Sequence, residues 1–129
     1  MKLSKYDKWP ILHYGETEPL TICKMAKRQG ESEYHIRLLR ERFIDIHKII
    51  KDCWVLPVSS YSLKAVAHWL GFKWNIENSD GAKALLWWRQ YQGSIKRKSI
   101  DRKTMQRIIN YNLDDCLATL KITKWLLKN

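Results

Sequence analysis

Short apolar runs in the first third of the chain predict two β-strands, Ile11–His13 and Phe43–Ile46. Between them, Thr17–Pro19 is typical of a helix start, and that helix should cover about residues 19–29. A second helical segment is expected over residues 31–42. Because a helical connection separates the two strands, we expect them to pair in parallel.

The pattern after residue 60 predicts three more helices. Ser60 should cap the first of them, and Gly71 should end it. This helix has apolar residues at i, i+3, i+4 and i+7, namely Leu63, Val66, Ala67 and Leu70. The other two should cover about residues 79–92 and 101–127. The fold class is therefore expected to be α/β and mostly helical, with two short parallel strands.

The final predicted helix has two partly apolar faces. One stripe, expected to face the core, comprises Met105, Ile109, Leu113, Cys116, Leu120 and Leu127. At 100° per residue, the opposite side carries Ile108, Tyr111, Asp115, Ala118 and Ile122. Since this second face mixes apolar residues with a carboxylate and a phenol, we expect another element, a cleft or a missing partner to cover it.

Length and composition predict one globular domain spanning residues 1–129. Hydrophobic residues make up 45% and charged residues 29%, which favours a folded chain over disorder.

No apolar run reaches the roughly 18 residues that cross a bilayer, and no secretory signal is recognisable, so we expect a cytoplasmic protein that does not engage membranes. Cys23, Cys53 and Cys116 lack zinc or disulfide spacing and are expected to be core thiols.

The charge balance predicts an anionic partner, because 24 Lys and Arg against 13 Asp and Glu give a net charge of +11. More than half of that charge lies in residues 89–107. The seven cations there, expected to contact nucleic-acid phosphates, are Arg89, Lys96, Arg97, Lys98, Arg102, Lys103 and Arg107. A solvated loop and helix start would have the same composition. The adjacent Trp87 and Trp88 should point to different sides of a helix, one toward the core and one toward a partner or a stacked base.

Tyr111 and Asp115 are the candidate chemical pair of the last helix. Their i, i+4 spacing puts a phenol and a carboxylate on one face about one turn apart. Alone, this spacing also fits a surface pair or a core tyrosine beside a solvated aspartate. Three further blocks supply context: HYGETE at residues 13–18, YSLK at residues 61–64 and LGFKW at residues 70–74.

These four blocks, in chain order and with Ser79–Gly81 between the last two helices, resemble the RNase H-like nuclease domain of the YprB type, found in predicted RecB-family nucleases. That family belongs with the DnaQ-like, or DEDD, exonucleases. The resemblance covers about residues 10–127. It implies an RNase H-like sheet flanked by helices, with 3′–5′ exonuclease-type cleavage of nucleic acid at four acidic residues that bind two divalent metals.

By this resemblance, Glu18 matches the second acidic motif and Asp115 matches the last, while Tyr111 would orient the attacking water. Glu18 and Asp115 would then be ligands of Mg²⁺ or Mn²⁺, hard ions that prefer carboxylate oxygens. Two such ions can stabilise both the attacking and the leaving oxygen of a phosphodiester. Asp45, after the second strand, could lie near these metals, although local preference favours a cap on the helix that follows.

The sequence departs from the family pattern in its first residues. The first motif, an Asp-x-Glu on the first strand of the sheet, does not occur before Pro10, and the chain begins at what resembles the fourth strand. Asp7 cannot replace it, because too few residues precede Asp7 to build the earlier strands. With two of the four ligands missing, we expect an incomplete metal site and an isolated chain that is inactive.

Two functional hypotheses remain open. The first is a nuclease domain whose N-terminal part lies on another polypeptide or was lost. The second is a non-enzymatic remnant that binds nucleic acid or a partner chain through the basic residues and the uncovered face of the last helix. A third hypothesis, a small basic helical module unrelated to nucleases, would require the four blocks to match the nuclease family by chance. Missing strands would also expose apolar surface, so self-association or binding of a complementing N-terminal polypeptide is expected.

Overall fold

The structure, a computed structural model, describes residues 8–75 and 81–129. In chain order, these residues form β1 (Ile11–His13), α1 (Thr17–Arg28), α2 (Glu33–Glu41), β2 (Phe43–Asp45), α3 (Ile46–Cys53), α4 (Leu63–Trp69), α5 (Gly81–Lys96) and α6 (Arg102–Lys128). The predicted class is confirmed, since the described residues are mostly helical and include two short parallel strands, as in a partial α/β RNase H-like fold.

β1 and β2 pair in parallel, as predicted, with Ile11 opposite Phe43 and His13 opposite Asp45. The α1–α2 hairpin connects them and turns at Gly30, whose φ of +84° lies in the left-handed region that favours glycine. Because the strands are parallel, their carboxyl ends lie at the same edge of the sheet. That edge is where α1 and α3 begin.

Two helix boundaries differ from their predictions. Ser62, not Ser60, caps α4: its Oγ accepts a hydrogen bond from the Ala65 N–H at 3.1 Å, while Ser60 contacts the Ser62 hydroxyl. The backbone of Ser62 is extended directly before the first helical residue, which is the conformation that a cap requires. The helix predicted for residues 79–92 continues to Lys96, and its predicted start lies outside the described residues. No helix in the described ranges combines the length and apolarity of a membrane span.

The buried apolar residues form two clusters. The larger one joins α3, α4 and α6 and comprises Ile46, Ile50, Leu56, Val66, Ala67, Trp74, Tyr111, Ala118 and Ile122. The smaller one lies under the α1–α2 hairpin and comprises Cys23, Ala26, Ile36 and Leu39, with Ile11 and Phe43 of the strands packed against it. The small cluster anchors the hairpin to the sheet, while the large one holds α6.

The prediction of which α6 face is buried is wrong. Ala118 is 0% exposed and Ile122 is also buried, whereas Leu113 is 54% exposed. We call the exposed residues the outer α6 stripe: Ile109, Leu113, Leu117 and Leu120. The physical reason is close approach, because small residues such as Ala118 and Thr119 let the neighbouring helices pack tightly on that side. Both faces are apolar, so hydrophobic periodicity alone does not distinguish them.

The cysteine prediction holds for one residue of three. Cys23 is buried in the smaller core cluster, but Cys53 and Cys116 are exposed. Cys116 is exposed because it lies toward the outer side of α6, the side that the periodicity wrongly assigned to the core. Cys53 is the last residue of α3.

Candidate functional site

The three predicted site residues lie on two helices. Tyr111 and Asp115 are on the inner side of α6, where Tyr111 is 8% exposed and Asp115 is half-buried. Glu18 is exposed in the first turn of α1, just beyond the carboxyl end of β1. α6 packs against β1, the strand that ends just before Glu18. Burial is the main cause of the raised pKa of Asp115 and of the Cys116 thiol, and the charge of Glu18 adds a smaller contribution to both. The fold therefore brings Glu18 within interaction range of Asp115, 97 positions further along the chain.

Asp115 is held by an aromatic donor. The Trp74 Nε1–H donates a hydrogen bond to Asp115 Oδ1 at 2.9 Å, which fixes the orientation of the carboxylate. Burial is the main reason that the pKa of Asp115 is raised; the Trp74 hydrogen bond and the charge of Lys64 oppose that increase. The carboxylates of Asp114 and Glu18 raise the pKa further. The site thus contains several negative charges and one nearby cation.

The neighbouring Asp114 has a structural role that the sequence did not reveal. It is 2% exposed, and its oxygens accept hydrogen bonds from the Asn75 backbone N–H at 3.0 Å and the Asn75 side-chain amide at 2.8 Å. Buried carboxylates require such partners. Asp114 therefore anchors the segment that carries Trp74. Consecutive helical residues are 100° apart, so Asp114 bonds to Asn75 while Asp115 bonds to Trp74.

Asp45 organises the turn that carries Glu18. Its Oδ1 accepts hydrogen bonds from the N–H groups of His47 and Lys48, so it caps α3 as local preference predicted. The same oxygen accepts the Gly15 N–H at 3.0 Å. Gly15 has a φ of +103°, which makes glycine favourable in this turn. One carboxylate thus ties the end of β1 to the start of α3 and fixes the entry into α1.

The pKa of Asp45 reflects this role. Burial opposes its ionisation, but the N–H donors of Gly15, Lys48 and His47, together with the charge of His13, outweigh burial and lower the pKa. The adjacent Tyr14 hydroxyl donates to the Tyr61 carbonyl at 2.5 Å. Burial and then the Asp45 charge raise the pKa of Tyr14 to about 12, so the hydroxyl stays protonated. These contacts join the strand end to the loop that leads into α4.

Lys64 and Trp87 surround the buried Tyr111. Lys64 Nζ is 5.7 Å from the centre of the Tyr111 ring, and the edge-to-face contact of Trp87 with that ring has a centroid separation of 6.3 Å. The predicted division of the adjacent tryptophans is confirmed, because Trp87 packs against the core while Trp88 is 42% exposed and stacks on Tyr91. That Trp88 meets a partner or a base stays a prediction. Lys64 and Trp74 both stand in the blocks that carry the resemblance, but the sequence did not predict that Trp74 would hold Asp115 or that Lys64 would lie beside Trp74 and Tyr111.

The predicted basic segment is exposed on α5, on the following loop and on the start of α6. All seven of its cations have exposed side chains: Arg89, Lys96, Arg97, Lys98, Arg102, Lys103 and Arg107. Asp101, the single acid in this stretch, caps α6 by accepting the Thr104 N–H at 3.0 Å and the Thr104 hydroxyl at 2.7 Å. Its hydrogen bonds with Thr104 are the main reason that its pKa is lowered. The loop thus presents an almost uniformly positive surface.

A groove of about 560 Å³ lies apart from these residues. It runs between the α1–α2 hairpin and the strands, where His13, Cys23, Phe43 and Asp45 contribute to its lining. Glu18, Tyr111 and Asp115 do not line it. The groove and the acidic pair are therefore separate features.

The acidic pair alone does not fit two metal ions. In residues 8–75 and 81–129, no three or more His, Cys, Asp and Glu side chains cluster closely enough to hold an ion. Glu18 and Asp115 provide two carboxylates, and Asp114 is already engaged by Asn75. Hard divalent cations need more oxygen ligands than this pair offers. Any further carboxylates would have to come from outside the described residues.

The raised pKa of Asp115 predicts a stabilising Asp115→Asn substitution. A carboxyl whose folded-state pKa lies above the ordinary 3.8 destabilises the fold when it is ionised. That penalty is complete above the raised pKa and vanishes as the pH falls toward 3.8. Asn keeps an oxygen for Trp74 without the charge, so Asp115→Asn should raise the melting temperature at pH 7, by a difference that shrinks toward pH 4.

Thermal unfolding followed by circular dichroism between pH 4 and pH 8 checks this prediction. Asp52→Asn, an equivalent change at an exposed residue of α3, is the control and should leave the melting temperature unchanged. A lower melting temperature of Asp115→Asn at pH 7 would contradict the proposed electrostatic penalty.

The combined geometry defines an α/β domain in which an acidic pair lies near the ends of parallel strands. A family profile of the RNase H superfamily matches residues 2–127, nearly the whole chain. The chain belongs to the RNase H superfamily, and this membership indicates a nuclease-like function. No curated protein matches the chain, and no solved structure matches it.

Proposed function

We propose that the chain supplies the second and last acidic motifs of a metal-dependent, 3′–5′ exonuclease-type site of the YprB kind, found in RecB-family nucleases. In this proposal, Glu18 and Asp115 are ligands of Mg²⁺ or Mn²⁺, and Tyr111 orients the attacking water. The observation that carries the proposal is the packing of α6 against β1, the strand that Glu18 follows, with Asp115 oriented by Trp74. Superfamily membership supports the same chemistry.

The remaining ligands come, in this proposal, from an Asp-x-Glu strand on a polypeptide segment outside this sequence. The outer α6 stripe supports such a segment, because four large apolar residues in one row are exposed there. Cys116 lies between that stripe and Asp115 around the helix, and burial, followed by the charges of Asp115 and Glu18, raises the pKa of its thiol. A segment that covers the stripe would have to extend around the helix past Cys116 to bring its carboxylates beside the existing pair.

Cleavage assays test this proposal. The purified chain alone should show no appreciable nuclease activity, since two carboxylates are too few for a two-metal site. Addition of the segment encoded directly upstream, carrying an Asp-x-Glu strand, should give Mg²⁺- or Mn²⁺-dependent shortening of 5′-labelled oligonucleotides from their 3′ ends. Robust metal-dependent cleavage by the chain alone, lost on Asp115→Ala, would contradict the proposed division of the site.

The outer α6 stripe also predicts self-association that increases with salt. The net charge of +11 opposes association, and salt screens that repulsion while leaving apolar contact favourable. Sedimentation velocity should show larger species at about 0.5 M than at about 0.05 M NaCl. Leu113→Lys should abolish the difference without lowering the melting temperature, because Leu113 is exposed.

Leu38→Lys is the matched control for that experiment, since Leu38 is also exposed but lies on α2. It should associate as the wild type does. A wild-type chain that stays strictly monomeric at both salt concentrations would show that the stripe does not drive association.

A non-enzymatic nucleic-acid-binding role is the second candidate function. The observation that favours it is the exposure of all seven cations of the basic segment, which leaves them accessible to phosphates. The two candidates differ in the assay above. Tight oligonucleotide binding without cleavage, in both the presence and the absence of the upstream segment, would support the second candidate.

A further inference from the structure

Lys64 lies where the parts of the candidate site meet. Its Nζ is 5.6 Å from the centre of the Trp74 ring and 5.7 Å from that of the Tyr111 ring. Trp74 in turn donates the hydrogen bond that orients Asp115. The negative faces of two aromatic rings attract an ammonium group at these distances. The structure therefore places a cation beside the candidate carboxylate and the candidate phenol.

The contacts of Lys64 do not use up its hydrogen-bonding capacity. An ammonium group has three N–H donors, and ring faces attract its charge without providing an oxygen acceptor. Within residues 8–75 and 81–129, two ion pairs lie within 4.0 Å, namely Lys27 with Glu33 and His35 with Glu31. Both belong to the α1–α2 hairpin, and neither involves Lys64. Among the described residues, Lys64 is thus close to carboxylates without being neutralised by a direct ion pair.

We infer that Lys64 is a substrate-contacting residue whose ammonium group binds a non-bridging oxygen of the phosphodiester at the Glu18–Asp115 site. This inference rests on the proposed nuclease function and adds a residue to it. Phosphate is the chemistry that fits, because an ammonium group pairs with a phosphate oxygen as a compact point charge. Lys64 is on α4 and is separate from the basic segment, so it provides a contact at the reacting group rather than along the flanking strand.

The test is oligonucleotide binding in EDTA, which separates phosphate contact from metal chemistry. Asp115→Asn is the starting variant, because removing its charge lets a phosphate approach Lys64 without metal ions. Fluorescence anisotropy with single strands of DNA and of RNA, each about 15 nucleotides long, measures affinity over a range of salt. Adding Lys64→Met should weaken binding about fivefold at about 0.1 M salt and lower the salt slope by about 0.7, as for the loss of one single-strand phosphate contact.

Lys124→Met is the matched control, since it removes the same charge from an exposed position nine residues beyond Asp115 on α6. It should leave the salt slope nearly unchanged. Lys64→Arg should keep most of the affinity, because it keeps the charge. A merely structural lysine would lower the melting temperature of Lys64→Met without changing the slope. Equal affinities and slopes for Lys64→Met and Lys124→Met, on both DNA and RNA, would overturn the inference.

The outcome also separates this inference from the proposed function. If cleavage by the completed assembly depends on Asp115 while Lys64→Met matches its control in binding, only the Lys64 inference fails. If Lys64→Met weakens binding but the completed assembly does not cleave, phosphate binding stands and the nuclease proposal fails.

Discussion

Asp115→Asn is expected to lower the cleavage rate of the completed assembly by about a thousandfold or more, although the substitution leaves the fold intact. In the proposed site, the loss follows from removal of a negatively charged metal ligand at a position where the fold holds the side chain through Trp74. Asn can still accept that hydrogen bond, so the orientation is preserved while the charge is lost. A fall in the cleavage rate of this variant would therefore not be explained by a loss of folding.

Tyr111→Phe should act differently in the same assay. Loss of the phenol should lower turnover by about a hundredfold, the scale of a positioned proton-transfer group, with less effect on the affinity for metal. Asp52→Asn on the exposed side of α3 should cleave at the wild-type rate. Equal turnover and equal metal affinity for the wild type and Asp115→Asn would refute the assignment of Asp115.

Asp114→Ala should have the largest effect on stability, in contrast to its neighbour. Removing the carboxylate deprives the Asn75 backbone N–H and side-chain amide of their acceptors. Two charge-assisted hydrogen bonds at about 1.5 kcal/mol each predict a loss of about 3 kcal/mol. That is a large part of the free energy of unfolding of a native protein, which is roughly 5–15 kcal/mol.

Urea unfolding of Asp114→Ala and Asp115→Asn beside the wild type measures this contrast. The midpoint should fall for the first and not for the second. Asn75→Ala should reproduce part of the loss, because it removes the side-chain amide and leaves the backbone donor in place. An unchanged midpoint for Asp114→Ala would contradict the anchoring role of that residue.

Local signals explain which parts of the fold could be predicted from the sequence. The strands, the α1–α2 crossover and the cap at Asp45 depend on residues that are neighbours in the chain, such as Asp45 and the N–H groups that directly follow it. The buried face of α6 depends instead on which side meets α4 and α5. Small residues such as Ala118 decide that contact, and a hydrophobicity pattern gives them little weight.

In the candidate site, too, local motifs could be predicted from the sequence and contacts between distant segments could not. The resemblance singled out Glu18, Tyr111 and Asp115 by motif, but it did not reveal that the adjacent Asp114 holds Asn75 or that Trp74 orients Asp115. Asn75 and Trp74 lie about 40 positions earlier in the chain. The cation–π position of Lys64 likewise depends on the packing of α4 against α6. Contacts between distant segments are not encoded in any local pattern, so these assignments required the structure.

Titration with Mn²⁺ is the direct test of whether Glu18 and Asp115 form half of a two-metal site. Electron paramagnetic resonance titrations would compare the chain alone, the chain with the Asp-x-Glu segment, and the same assembly carrying Asp115→Asn. We expect a pair of bound, magnetically coupled Mn²⁺ ions only in the wild-type assembly. A coupled pair bound by the chain alone, or a pair that persists in the assembly after Asp115→Asn, would contradict this expectation.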